Sequence, residues 1–166
     1  MAKSARQQYL EAYDREHEKT MKVLRAFPKD KTELKPHPKL RTAREVAFVF
    51  ALEAYLAQKV YNDEMAKGPS GKPPQTPATW DEVVKAVETM HGDFRKVVES
   101  ASEADFEKKV HFFVAPKTMG EWSRIDFLNF LLDDQIHHRG QLTVYLRMAD
   151  GKVPAIYGGS ADEPWF

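Results

Sequence analysis

Four of the Ser or Thr residues that stand three positions before a Glu or Gln in this chain each open a long run with apolar residues at helical spacing. They are Ser4 with Gln7, Thr42 with Glu45, Thr79 with Glu82, and Thr118 with Glu121. In such a capping box the hydroxyl accepts from a backbone N–H of the first helical turn while the acid or amide reaches back to the cap's own N–H. One match is weak, since short patterns recur by chance; four, each where a periodic run begins, predict four helices. The stops agree: Phe27-Pro28, then Gly68-Pro69-Ser70-Gly71, the polar stretch from Ser100 to Asp105, and Asp150-Gly151. Helices of roughly 22 to 32 residues result. The expected fold class is all-α, an antiparallel four-helix bundle with a long Pro/Gly-rich loop from Gly68 to Pro77 and an irregular C-terminal tail. The stretch Lys108 to Pro116, KKVHFFVAP, could extend, but Pro116 and its isolation argue against a sheet.

A chain of 166 residues fits one domain, 1–166, with one core. Lysine and arginine number 25, as do aspartate and glutamate, so the net charge of zero leaves no basic footprint for nucleic acid or an anionic membrane. The absence of cysteine excludes disulfides, thiolate metal sites and a cysteine nucleophile, and suits a reducing cytoplasm. The opening MAKSARQQYLEAYDREHEK alternates charged and apolar residues, unlike a secretory leader. No segment approaches the roughly eighteen uninterrupted apolar residues of a membrane span. Neither a Gly-rich phosphate loop, a G-x-S-x-G elbow nor an H-E-x-x-H motif occurs.

Residues three, four and seven apart share a helix face. On the fourth helix one stripe collects Phe127, Phe130, Leu131, Leu142, Tyr145 and Met148, with Asp134, His138 and Gln141 among them. A carboxylate on an apolar stripe needs a proton, a hydrogen-bond donor or a metal, because burying it unpaired is costly. Glu53 lies on the stripe of Val46, Val49, Leu56 and Val60; His91 on that of Val84, Val87, Phe94 and Val98; His17 on that of Leu10, Tyr13, Met21 and Leu24. Asp134, His138, Glu53, His91 and His17 are all mid-helix and could converge on one pocket, although each singly also fits a satisfied core or boundary position. A second apolar face on the fourth helix, with Ile125, Leu128, Leu132, Ile136 and Leu146, predicts a homodimer with that helix near the interface. Trp80, Trp122 and Trp165 read as core or boundary aromatics, Trp165 capping the tail. Lys29 to Lys39 reads as a solvated loop.

The run Asp134-Gln-Ile-His137-His138-Arg139-Gly140-Gln141-Leu142, then Tyr145-Leu146-Arg147 and the tail Val153 to Glu163, resembles the DinB family. So does the approach to the second helix, Lys35-Pro36-His37-Pro38 followed by Arg41-Thr-Ala-Arg44-Glu45. The resemblance implies a four-helix bundle of DinB type, commonly dimeric, with a divalent metal (zinc, nickel or manganese) held by three side chains. One ligand comes from the second helix and two, four apart, from the fourth. His138 matches the last of these, and Asp134 stands where the family usually has histidine. Val49 occupies the expected second-helix position and cannot bind a metal. Either Glu53, one turn along, or His91 or His17 supplies the missing ligand, or the scaffold persists without its metal.

As an enzyme the chain would be a metal-dependent transferase or hydrolase acting on a small molecule, using an external low-molecular-weight thiol in some relatives. A Lewis-acidic ion lowers the pKa of a thiol or water, and His137 or Gln141 would support the ligands from behind. As a non-enzyme it would be a dimeric binding or stress-associated bundle in which Asp134 and His138 form a buried hydrogen-bonded pair. A third reading, a ferritin-like carboxylate site, starts from Glu88-x-x-His91 and Asp134-x-x-His137.

Overall fold

The computed structural model describes residues 2–68 and 71–166. Three of the four boxes cap helices as read: α1 spans Ala5–Ala26 behind Ser4, α2 Ala43–Tyr61 behind Thr42, and α3 Trp80–Glu99 behind Thr79. In each, the hydroxyl accepts from the N–H three residues on and that residue's side chain returns to the cap. A fifth box, Ser102 with Asp105, opens the short α4, Glu103–Phe106. The loop expected from Gly68 to Pro77 is irregular where described; Pro69 and Ser70 lie outside the described residues.

The fourth box is not a cap. Lys109–Ala115 forms β1 and Thr118–Ser123 forms β2, an antiparallel hairpin that turns at Pro116-Lys117, with Lys117 in the left-handed region (φ 60°). The sheet argued against from Pro116 therefore exists, because proline sits in the turn, where no ladder donor is needed. Glu121, read as a capping acid, pairs instead across the ladder with His111. The last long helix, α5, begins later, at Arg124, and runs to Met148. Ser123 caps it by accepting from the Asp126 N–H at 3.2 Å. Asp63, left-handed at φ 56° just beyond α2, holds the hairpin in place by accepting from the backbone N–H and Nδ1 of His111 at 2.8 and 3.0 Å.

The long helices form the expected bundle, with α1 and α2 diagonal and each packed on both α3 and α5. Arg44 at the start of α2 donates to Pro77 O just before α3, and Tyr61 at its end meets Phe94, so α2 and α3 run parallel. Ile125 and Asn129 lie beside Ala5 and Tyr9, and Arg139 reaches Glu16, so α1 and α5 run parallel too. The two pairs oppose each other. The core falls into two apolar clusters, one around Leu24, Phe27, Phe48, Trp80 and Leu146, the other around Tyr9, Val60, Phe94, Phe106 and Phe127. Between them lies a buried polar layer of Glu16, Thr20, Glu53, Gln135 and Arg139.

Several assignments change with this packing. Leu128, Leu132 and Leu146, on the second apolar face of α5, are buried within this chain, and Ile125 packs on α1; that face is covered without a second subunit. Phe130 and Met148, read as inward, are 41% and 51% exposed. Trp80 is buried and donates to Leu24 O, whereas Trp165 is 64% exposed and does not cap the tail. The tail is fastened instead by Asp162, which accepts from Arg147 and from the Val153 N–H, and by Tyr157.

Candidate metal centre

Because α1 and α2 are diagonal, as are α3 and α5, the mid-bundle polar residues meet in separate groups at different helix interfaces. Between α2 and α5 stand Glu53, Asp134 and His138, which each offer a ligand atom, all within 4.8 Å of one another. His138 Nε2 is 3.8 Å from Glu53 Oε1 and 3.7 Å from Asp134 Oδ2. Donors bound to one ion at about 2.1 Å stand roughly 3 to 3.5 Å apart, so the two His138 separations lie within a few tenths of an ångström of a bound set. Position 53 projects here because it falls on the α2 stripe facing α5. Val49, one turn earlier on that stripe, is buried and offers no donor.

Glu53 is 5% exposed, and neither of its oxygens makes a hydrogen bond of ordinary geometry, although the Asp134 and Gln135 side chains stand beside it. Burial pushes its carboxyl up to about 10, and the neighbouring Asp134 charge adds to the effect. A carboxylate in such a place lacks the compensation that buried charge requires. His138 Nδ1 lies 3.1 Å from Gln141 Oε1, and Gln141 Nε2 lies 2.8 Å from His137 Nε2. If Nδ1–H donates to that amide oxygen, the lone pair of Nε2 faces the two carboxylates, the tautomer a metal ligand needs. Asp134 and His138 themselves are too far apart for a hydrogen bond, and the Asp134 side chain is 40% exposed, which corrects the reading of a buried pair.

His17 and His91 do not join this group. They sit between α1 and α3, stacked at 3.7 Å between ring centroids, with Tyr13 stacked on the other face of His91 at 4.1 Å. His91 Nε2 lies 3.2 Å from Asp14 Oδ1, which Arg95 also holds. The ferritin-like set does not assemble, since Glu88 pairs with Arg25 at the surface and His137 is exposed.

A third group, between α1 and α5, escaped the stripe analysis. Arg139, 1% exposed, donates to Glu16 Oε2 at 2.7 Å and to Glu16 O at 2.9 Å, and Tyr157 from the tail bonds both side chains. Burial alone would raise the Glu16 carboxyl, but Tyr157, Lys19 and Arg139 hold it down at about 2. The signal was present: Tyr9, Tyr13, Glu16, Thr20 and Val23 form a second stripe on α1.

A DinB family model matches residues 1–164. The chain belongs to the DinB family. Solved relatives share the fold. A DinB-like protein from Bacillus cereus ATCC 10987 has a TM-score of 0.72 and 22% identity, over 90% of this chain and 95% of its own. The DinB-like YjoA of Bacillus subtilis has a TM-score of 0.67 and 14% identity, over 87% and 94%. YfiT from Bacillus subtilis, described as a probable metal-dependent hydrolase with an unusual four-helix bundle topology, has a TM-score of 0.67 and 12% identity, over 92% and 91%. At these identities the likeness concerns the fold. Among curated proteins, the uncharacterized YrdA of Bacillus subtilis (strain 168) is 53% identical over 36 residues, which span 22% of this chain and 22% of that protein. No helix among the described residues is long and apolar enough to cross a membrane.

Proposed function

We propose that this DinB protein is a metal-dependent hydrolase or transferase of small molecules, with Glu53, Asp134 and His138 holding one divalent ion. The observation that carries this reading is Glu53, buried with neither oxygen in a hydrogen bond of ordinary geometry, beside a second carboxylate and an imidazole. A dication there offsets both carboxylates and supplies Lewis acidity toward water or an external thiol. Two oxygens and one nitrogen suit manganese, nickel or zinc, and Glu53 takes the place that Val49 vacates. Gln141 acts as a positioning residue, fixing the His138 ring between its own amide and the ligands. Glu53 must lose its proton as the ion enters, so metal uptake at neutral pH releases acid.

The homodimer expected from the sequence carries over as a proposal, supported by the exposed Phe130, Val144 and Met148 on the outer face of α5. Sedimentation equilibrium at micromolar concentration reads its mass directly.

The metal reading is tested by elemental analysis of protein purified without a metal-affinity tag. One divalent ion per chain is expected, lost in both Asp134→Ala and His138→Ala. A wild-type chain that is folded and takes up no divalent ion when zinc, nickel or manganese is supplied overturns it.

A further inference from the structure

Beside the candidate metal centre a cleft of about 290 Å³ opens between the segment leading into α2 and the second half of α5. It is lined by His138 and Gln141 on α5, by the apolar Leu40 and Val46, and by the exposed Lys39 and Arg41 at its rim. The rim is anchored: the Tyr145 hydroxyl donates to Arg41 O at 2.9 Å, and Leu40 N–H closes a turn onto His37 O at 2.9 Å. Small-molecule sites in proteins have this form, a concave apolar surface with a few placed polar groups.

The charges of the rim are unspent. Every other arginine of the chain is ion-paired to a carboxylate. Arg41 makes no such pair among the described residues, and neither does Lys39. The nearby Glu45 is occupied as the α2 cap, accepting from Thr42 N–H at 2.7 Å. Arg41 also favours the ionised form of Glu53, so its field extends to the carboxylates of the centre. With a dication offsetting Glu53 and Asp134, the two rim cations remain as a net positive charge. A guanidinium presents a planar fork that matches carboxylate or phosphate oxygens.

We propose that this cleft is the substrate subsite of the metal centre and that Arg41, assisted by Lys39, binds the anionic group of a small organic substrate while Leu40 and Val46 pack against its carbon chain. Its role as a substrate subsite rests on the metal reading above; the binding of an anion does not. The shared chemistry is a carboxylate or a phosphate, and the choice between them is left to measurement.

The test is calorimetric titration of the metal-supplied chain with succinate, inorganic phosphate and the neutral succinamide, with metal content measured on the same samples. At least one anion should bind, at least tenfold more tightly than succinamide, and the preference between succinate and phosphate identifies the group. Arg41→Gln should weaken anion binding tenfold or more and Lys39→Gln by a few-fold, both with wild-type metal content. The proposal is overturned when neither anion binds, when succinamide binds as well as succinate, or when Arg41→Gln leaves the affinity unchanged because the anion sits on the metal alone. A chain that takes up no metal yet binds an anion through Arg41 overturns the metal reading while retaining this anion site. A metal-loaded chain indifferent to Arg41 does the reverse.

Discussion

At the scale of single residues, Glu53 is the position that most needs a reason. Its oxygens are buried without a hydrogen bond of ordinary geometry and its carboxyl is raised to about 10, so without an ion it sits in the bundle as a neutral acid beside Asp134. Glutamine has the same shape and no charge. Glu53→Gln should therefore fold with an unfolding midpoint close to that of the metal-free wild type, yet lose the stabilisation that metal gives. A ligand at a hundred times its Kd stabilises by about 2.7 kcal/mol, or roughly 5 to 10 °C for a chain of this size. Differential scanning fluorimetry with and without added manganese or zinc checks both halves. A variant that keeps the metal-induced rise would remove Glu53 from the site.

At the scale of elements, the hairpin and the start of α5 show what a local pattern can and cannot decide. Thr-x-x-Glu at 118–121 satisfies the capping rule as well as the three boxes that do cap, because the rule inspects four residues and says nothing of what precedes them. Here a strand precedes, and the β1 pairing partner lies within ten residues, so ladder hydrogen bonds take the backbone groups that a helix would have used. The true cap, Ser123 with Asp126, was hidden because aspartate is not the usual box partner; Ser102 with Asp105 was missed for the same reason. Removing a functioning N-cap costs about 1 kcal/mol, whereas an exposed strand position stays within about 0.5 kcal/mol. Urea titrations should accordingly show Ser123→Ala destabilised by about 1 kcal/mol and Thr118→Ala nearly unaffected. The opposite order would restore the longer helix.

At the scale of the whole molecule, periodicity told which residues face inward but not which helix they meet. Glu53, Asp134 and His138 were legible as inward polar groups, and α2 and α5 are adjacent, so they meet. His17 and His91 were equally legible, but the diagonal arrangement sends them to the α1–α3 interface. The parallel course of α2 and α3, set by the long connection from Asn62 to Thr79, is what decides this, and no helix stripe records it. The resulting layer of separate polar groups between two apolar clusters ties the stability of the fold to pH. Burial, then the neighbouring His17, pushes the His91 imidazole from its ordinary 6.5 down to about 4, against the pull of Asp14 and with Arg95 adding to the depression. His17 is lowered as well, by burial first, with Arg25 acting in the same sense and Glu88, Asp14 and Glu18 opposing. Between about pH 6.5 and 4 these imidazoles bind protons in the unfolded chain that they refuse in the folded one, so their contribution to stability falls as the pH drops through that window. Glu16, held at about 2, adds a second loss that begins below the ordinary carboxylate value and completes only as the pH passes about 2. The His91 contribution should amount to on the order of 2 kcal/mol, roughly 5 °C in midpoint, between pH 7 and pH 4.5; in metal-free protein Glu53, neutral in the fold and ionised in the unfolded chain over the same window, works in the opposite sense, so the contribution is read as the difference between the wild type and His91→Phe. His91→Phe keeps an aromatic ring in the stack and removes one titrating group, so across that upper window its stability should gain on that of the wild type as the pH drops, while the lower, Glu16-linked loss persists. A variant whose pH profile overlays the wild type would show that the histidine pair does not govern the acid response.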